Sequence, residues 1–206
     1  MSDVASRIAQ RSLAKREAGY AEEVRRLLDA ALQVIAERGT TSRPRVADIV
    51  RAARLSNDAF YRHFKSKDAL VAAILEDGTQ RLTTYVAHQM SKESTPEAKV
   101  RGWVVGVLSQ AAEESAATTR AVLWNAGTLT SDTLDGPPSA SGPLAALLRE
   151  PFAELGSPDP EFDALLAAHA IVGALGDHLW KGTVPGDAGV ERITAFCLRA
   201  ATYSVR

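Results

Sequence analysis

The stretch VADIVRAARLSNDAFYRHFKSKDAL, residues 46–70, decides the reading of this chain. Val46, Ile49 and Val50 put apolar groups on one side of a short helix that starts after Pro44 and covers residues 45–53. The turn Ala53-Arg54-Leu55 follows, and Ser56 is placed to cap a second short helix holding Phe60 and Phe64 on one face. Two short helices joined by a tight turn present the second as a rigid rod. Such a rod enters the major groove of DNA with its N-terminal amides and polar side chains foremost.

The residues off the Phe60 and Phe64 face suit that task. Asn57 can pair with adenine and Arg62 with guanine, while Asp58 can accept from cytosine or orient a neighbouring arginine. His63 lies on the same side, and Ser56 stands at the rod's leading end. Tyr61 carries a hydroxyl on a stiff ring, suited to a phosphate oxygen. Lys67, opening the next helix behind the cap Ser66, can act on another phosphate together with that helix's free amides. Phe60 and Phe64 belong to the core, and any one of these polar residues taken alone is an ordinary surface group.

Upstream, Val24, Leu27, Leu28, Ala31 and Ile35 recur at helical spacing over residues 22–38, and Gly39 ends the run. Residues 1–21 show no sustained apolar period and carry Arg7, Arg11, Lys15 and Arg16, which reads as a flexible basic arm. Downstream, an apolar stripe from Val71 to Val86 makes a long helix toward residue 90. Further helices follow after Thr95, over about 117–129, and over roughly 161–181 and 188–204. Ser131 to Pro143, rich in Gly and Pro, reads as an exposed loop. No segment alternates at period two, so the expected class is all-α: a three-helix unit over 22–68 and a larger helical unit over 69–206.

Charge is distributed in keeping with this division. The net charge is -1, yet residues 1–70 hold 14 basic against 9 acidic residues and the remainder 10 against 16. A basic segment on an acidic body is what a protein needs when only the first part approaches a polyanion. The single Cys197 allows no disulfide within the chain. Neither a signal-peptide core nor a membrane-length apolar run is visible, so the expected location is cytoplasmic, with no membrane partner. No nucleophile-base set, phosphate loop or metal-ligand spacing stands out, so neither enzyme nor metal site nor cofactor is expected.

Taken together and in order, Ile35-Ala36-Glu37-Arg38-Gly39, Val46-Ala47-Asp48-Ile49, Leu55-Ser56, Phe60-Tyr61-Arg62-His63-Phe64 and Ser66-Lys67-Asp68-Ala69-Leu70 resemble the TetR family of bacterial transcriptional repressors. The motifs cover about residues 22–75. The resemblance implies that Tyr61, His63 and Lys67 hold phosphates while Asn57, Asp58 and Arg62 face base edges. It also implies a palindromic double-stranded operator, a homodimer bundled through the two final helices, and a body pocket whose occupancy by a small effector lowers DNA affinity. Two departures stand out: Arg54 replaces the usual turn glycine, and Arg45 replaces a common capping threonine. Both add positive charge beside the DNA face and are expected to touch phosphates.

For the effector, Tyr85, His88, Trp103, Trp124, Asn125 and His169 each set an aromatic or polar group in a largely apolar helix, and an apolar or aromatic ligand suits them. For the dimer, the helix over 161–181 is apolar on more than one stripe and must be covered on more than one side. Gly173 and Gly176 would permit close approach there. Ile171, Leu175 and Leu179, with Phe196 and Tyr203 of the last helix, are the expected interface. The competing reading is a helical small-molecule-binding protein or enzyme whose N-terminal helices are scaffold only. A second rival is an activator or architectural DNA binder with an empty body.

Overall fold

Residues 3–127, 129 and 140–202 are described by a computed structural model. Among them are ten α-helices and no strand: α1 Asp3–Arg38, α2 Val46–Ala53, α3 Asn57–His63, α4 Lys67–Met90, α5 Pro96–Leu108, α6 Glu113–Ala126, α7 Ser141–Ala146, α8 Arg149–Glu154, α9 Pro160–Lys181 and α10 Asp187–Thr202. Local chemistry sets the starts. Ser56, Ser66, Thr95 and Asp159 each accept a hydrogen bond from the amide three residues on, and Pro96 and Pro160 open α5 and α9 where no intrahelical donor is needed.

The chain forms two apolar cores. Leu27, Ala31 and Ile35 of α1 meet Ile49 of α2, Phe60 of α3 and Phe64 just after it, Leu70 and Ile74 of α4, and Ala121 and Ala126 of α6. The second core gathers Val86 and Met90 of α4 with Trp103 and Val107 of α5, Leu144 and Phe152 of α7 and α8, Ile171 and Leu175 of α9, and Cys197 of α10. Thus α4 feeds one core with its first half and the other with its second. At the crossing of α4 and α5, a Cβ on Gly106 would stand 3.0 Å from Val86 Cγ2, so glycine sets how closely these helices approach. No helix among the described residues is long and apolar enough to cross a membrane.

Several expectations are corrected. The flexible arm over 1–21 is, from Asp3 on, the first half of one continuous 36-residue helix. Ala, Arg, Gln, Lys and Leu favour helix without needing an apolar stripe, so periodicity alone missed it. The helix expected over 117–129 starts earlier, at Glu113, after a 3-10 turn at 109–111. The loop expected over Ser131 to Pro143 falls largely outside the described residues, and its last three residues open α7.

Candidate functional site

The turn between α2 and α3 is closed by a Schellman pattern. The Arg54 amide donates to the Arg51 carbonyl at 3.2 Å and the Leu55 amide to the Val50 carbonyl at 2.9 Å. That geometry puts Arg54 in the left-handed region, φ 54 and ψ 45, the one non-glycine residue there among those described. Strain of about 1 kcal/mol is its ordinary cost for an L-residue. Arg26 of α1 compensates from below, its guanidinium donating to the Ala53 and Arg54 carbonyls. Asp48 ties α2 to the end of α1 by accepting from Arg38 at 2.5 Å, and pairs with Arg51 at 2.7 Å.

Beyond this turn, α3 buries Ala59 and Phe60 and leaves Ser56, Asn57, Asp58 and Tyr61 in solvent. Tyr61 is 59% exposed. Arg45 and Arg54 are exposed beside it, and Lys67 is half-buried at the start of α4. Arg45 makes no side-chain cap to α2, so its charge remains available.

Arg62 and His63 stand differently. Both reach Glu23 of α1, whose Oε2 lies 2.7 Å from Arg62 Nη2 and 2.7 Å from His63 Nε2. The His63 side chain is only 8% exposed, with Tyr20 set edge-on against its ring at 5.5 Å, and Arg62 lies over the Tyr20 ring. Hydrogen bonds from His63 and then Arg62 hold the Glu23 carboxyl below its ordinary range. Sequence reasoning missed Tyr20, Glu23 and Arg26, because their partners lie 27 to 43 positions away along the chain.

In the body, a cleft of about 210 Å³ opens between α4, α6 and α9. Ile74, Leu75, Val122, Val172 and Leu175 make its apolar wall, and Thr79, Gln110, Thr118, Thr119 and Arg81 supply the polar groups. None of the six expected ligand residues lines it. Trp103 is fully buried, its indole donating to the Leu144 carbonyl at 2.9 Å, and buried Asn125 donates to the Ala121 carbonyl at 2.9 Å. Trp124 is half-buried with the Arg43 guanidinium 5.4 Å above its ring. Tyr85 and His88 are exposed, and so is His169, whose Nδ1 donates to the Leu165 carbonyl. An aromatic or polar group in an apolar helix does not by itself say which way it faces: Trp103 is buried and Tyr85 exposed. The cleft instead forms where small and hydroxyl-bearing residues leave room at helix crossings.

The expected dimer residues are also corrected. Ile171, Leu175 and Leu179 are buried in the chain's own core. The outward stripe of α9 carries Phe162, Leu166, Gly173 and Trp180 instead, with Phe162 60% and Trp180 54% exposed. Phe196 of α10 is exposed as expected, and Tyr203 lies outside the described residues. Gly173 and Gly176 would meet nothing within 4 Å if given a Cβ, so neither serves close packing inside the chain.

Residues 27–74 match the model of the bacterial regulatory proteins of the tetR family. No curated protein matches the chain. Among solved structures, a bacterial regulatory protein in the tetR family from Rhodococcus RHA1 superposes with a TM-score of 0.62 at 17% identity, over 89% of this chain and 98% of that one. The reduced form of NemR from E. coli gives 0.62 at 18%, over 84% and 95%. AibR, solved with isovaleryl coenzyme A and operator DNA, gives 0.56 at 19%, over 86% and 96%. Residues 27–74 thus carry a helix-turn-helix that the model of the tetR family of bacterial regulatory proteins matches, and the all-helical fold of the chain is similar to that of solved structures described as tetR-family regulators.

Proposed function

We propose that the protein is a cytoplasmic, homodimeric transcriptional repressor that leaves a palindromic DNA operator when a small apolar molecule enters the body cleft. One observation carries the reading: the cleft and the helix-turn-helix share walls. Leu32 of α1, Ile74 and Leu75 of α4 and Val122 of α6 line the cleft and also pack against the first core. A ligand that wedges α4 from α6 therefore reorients α1 to α3, and two recognition helices set roughly 34–36 Å apart lose their match to successive major grooves.

In this reading Asn57 and Asp58 face base edges, and Tyr61, Lys67, Arg45 and Arg54 hold phosphates. Ser56 sets the leading end of α3. His63 positions Glu23 and Arg62 rather than touching DNA, and Arg62 reads a base only by leaving Glu23. The DNA-binding unit is 22–68 and the body 69–206. The cleft's polar groups are hydroxyls, an amide and one guanidinium, which favour binding over proton transfer at neutral pH. Two copies associate through the apolar stripe of α9 and the adjacent face of α10.

The test begins with duplexes selected by the protein from a random pool. Tight binding to a two-fold symmetric site, weakened by an apolar compound and restored on its removal, is the expected result. No selected sequence, or affinity unchanged by every compound that stabilises the protein, overturns it.

A further inference from the structure

The first four turns of α1 have no part in the function argued above. Every described side chain from Ser6 to Tyr20 is exposed, yet the helix runs unbroken into the first core. Contacts along α1 set the direction of this rod. Leu27 and Ala31 lie in the core, Arg26 reaches the turn between α2 and α3, Glu23 reaches Arg62 and His63, and Tyr20 lies against His63. Each step toward lower number moves along the helix-turn-helix, so the residues before Tyr20 continue past the end of α3.

The charges on that continuation are arranged by the helical repeat. At about 100° per residue, Arg16 falls on the stripe of Tyr20 and Glu23, Lys15 on the stripe of Arg26, and Arg11 one turn beyond Lys15. With a rise of about 1.5 Å per residue, Arg16 stands about 10 Å and Arg11 about 18 Å beyond Glu23. Residues 3–20 hold four basic and two acidic groups, and Arg11, Lys15 and Arg16 enter no ion pair among the described residues. A cationic face that continues a DNA-facing surface complements phosphate.

We propose that this N-terminal half of α1 is a second DNA-contacting element, with Arg11, Lys15 and Arg16 on backbone phosphates flanking the groove entered by α3. The inference rests on the DNA-binding reading. Because the interactions are with phosphate, they add affinity and salt dependence without adding sequence preference.

The experiment compares the full-length protein with an Arg11→Gln, Lys15→Gln, Arg16→Gln variant on one selected duplex carrying long flanks. Helix content by circular dichroism checks that the variant folds, and Lys15→Arg with Arg16→Lys serves as a charge-preserving control. The variant should bind the same sequence more weakly, with its log-affinity against log-salt slope shallower by about 0.9 for each phosphate no longer neutralised. Its hydroxyl-radical footprint should show no protection outside the central site, and the control should behave as wild type. Equal slopes and equal footprints overturn the proposal while leaving DNA binding intact. A change in sedimentation with an unchanged salt slope also overturns it and assigns the stripe to the acidic body of a second copy. If the wild type itself selects no duplex, both this proposal and the DNA-binding reading fall.

Discussion

The carboxylate of Glu23 on α1 holds His63 at the end of α3 across 2.7 Å, and the same oxygen takes Arg62. This contact aligns α3 with α1, and its strength depends on the carboxylate staying ionised. Glu23→Gln should therefore lower the Tm at neutral pH. Because the folded carboxyl titrates below its ordinary value, the stabilisation is present above that value of 4.5 and is lost as pH falls through the depressed one. The Tm difference between wild type and variant should shrink to nothing on acidification. A difference that persists in strong acid would remove the ionic account.

Arg54 at φ 54 makes the turn sensitive to side-chain shape. Arg54→Gly relieves the left-handed strain but loosens the unfolded chain, so stability should stay within about 1 kcal/mol of wild type. Arg54→Val, β-branched at positive φ, should cost about 1–2 kcal/mol. Urea denaturation distinguishes them. If the Arg54 charge touches phosphate, both variants lose DNA affinity to the same degree.

Gly176 lines the cleft with nothing within 4 Å of a Cβ position. Gly176→Leu should fill the cleft, keep the fold and DNA binding, and abolish release by any effector. Thermal-shift and operator-binding titrations with a compound active on wild type read this out, and a normal response in the variant would move the effector elsewhere.

Phe162 and Trp180 expose large apolar surfaces on the outward face of α9. Charges there should split the proposed dimer. Phe162→Glu with Trp180→Glu is expected to sediment as a monomer with an intact circular dichroism spectrum, whereas a dimer of wild-type affinity would exclude this face.

Cys197 is buried in the second core, and burial pushes its thiol up to about 12. At pH 8 almost no thiolate is present, so a disulfide reagent should modify the folded protein slowly and the urea-unfolded protein at once. Rapid labelling of the native state would contradict the packing.

Short-range chemistry was legible in residues 46–70. Caps at Ser56 and Ser66, the Phe60 and Phe64 face, and the helix-turn-helix order all follow from spacing and from which side chains bind nearby amides. The all-α class followed for the same reason, since helical periodicity is a local property. What each helix packs against is not local. On α9, apolar residues occupy nearly every side, so only packing decided that Ile171 and Leu175 face inward while Phe162 and Trp180 face out. The cleft arises where α4, α6 and α9 fail to fill space, which no single helix encodes. The partnership of Glu23 with Arg62 and His63 joins residues some forty positions apart. The sequence by itself determined which segments coil and which side chains can cap them; tertiary structure alone decided which faces meet, because burial is shared between helices that are distant along the chain.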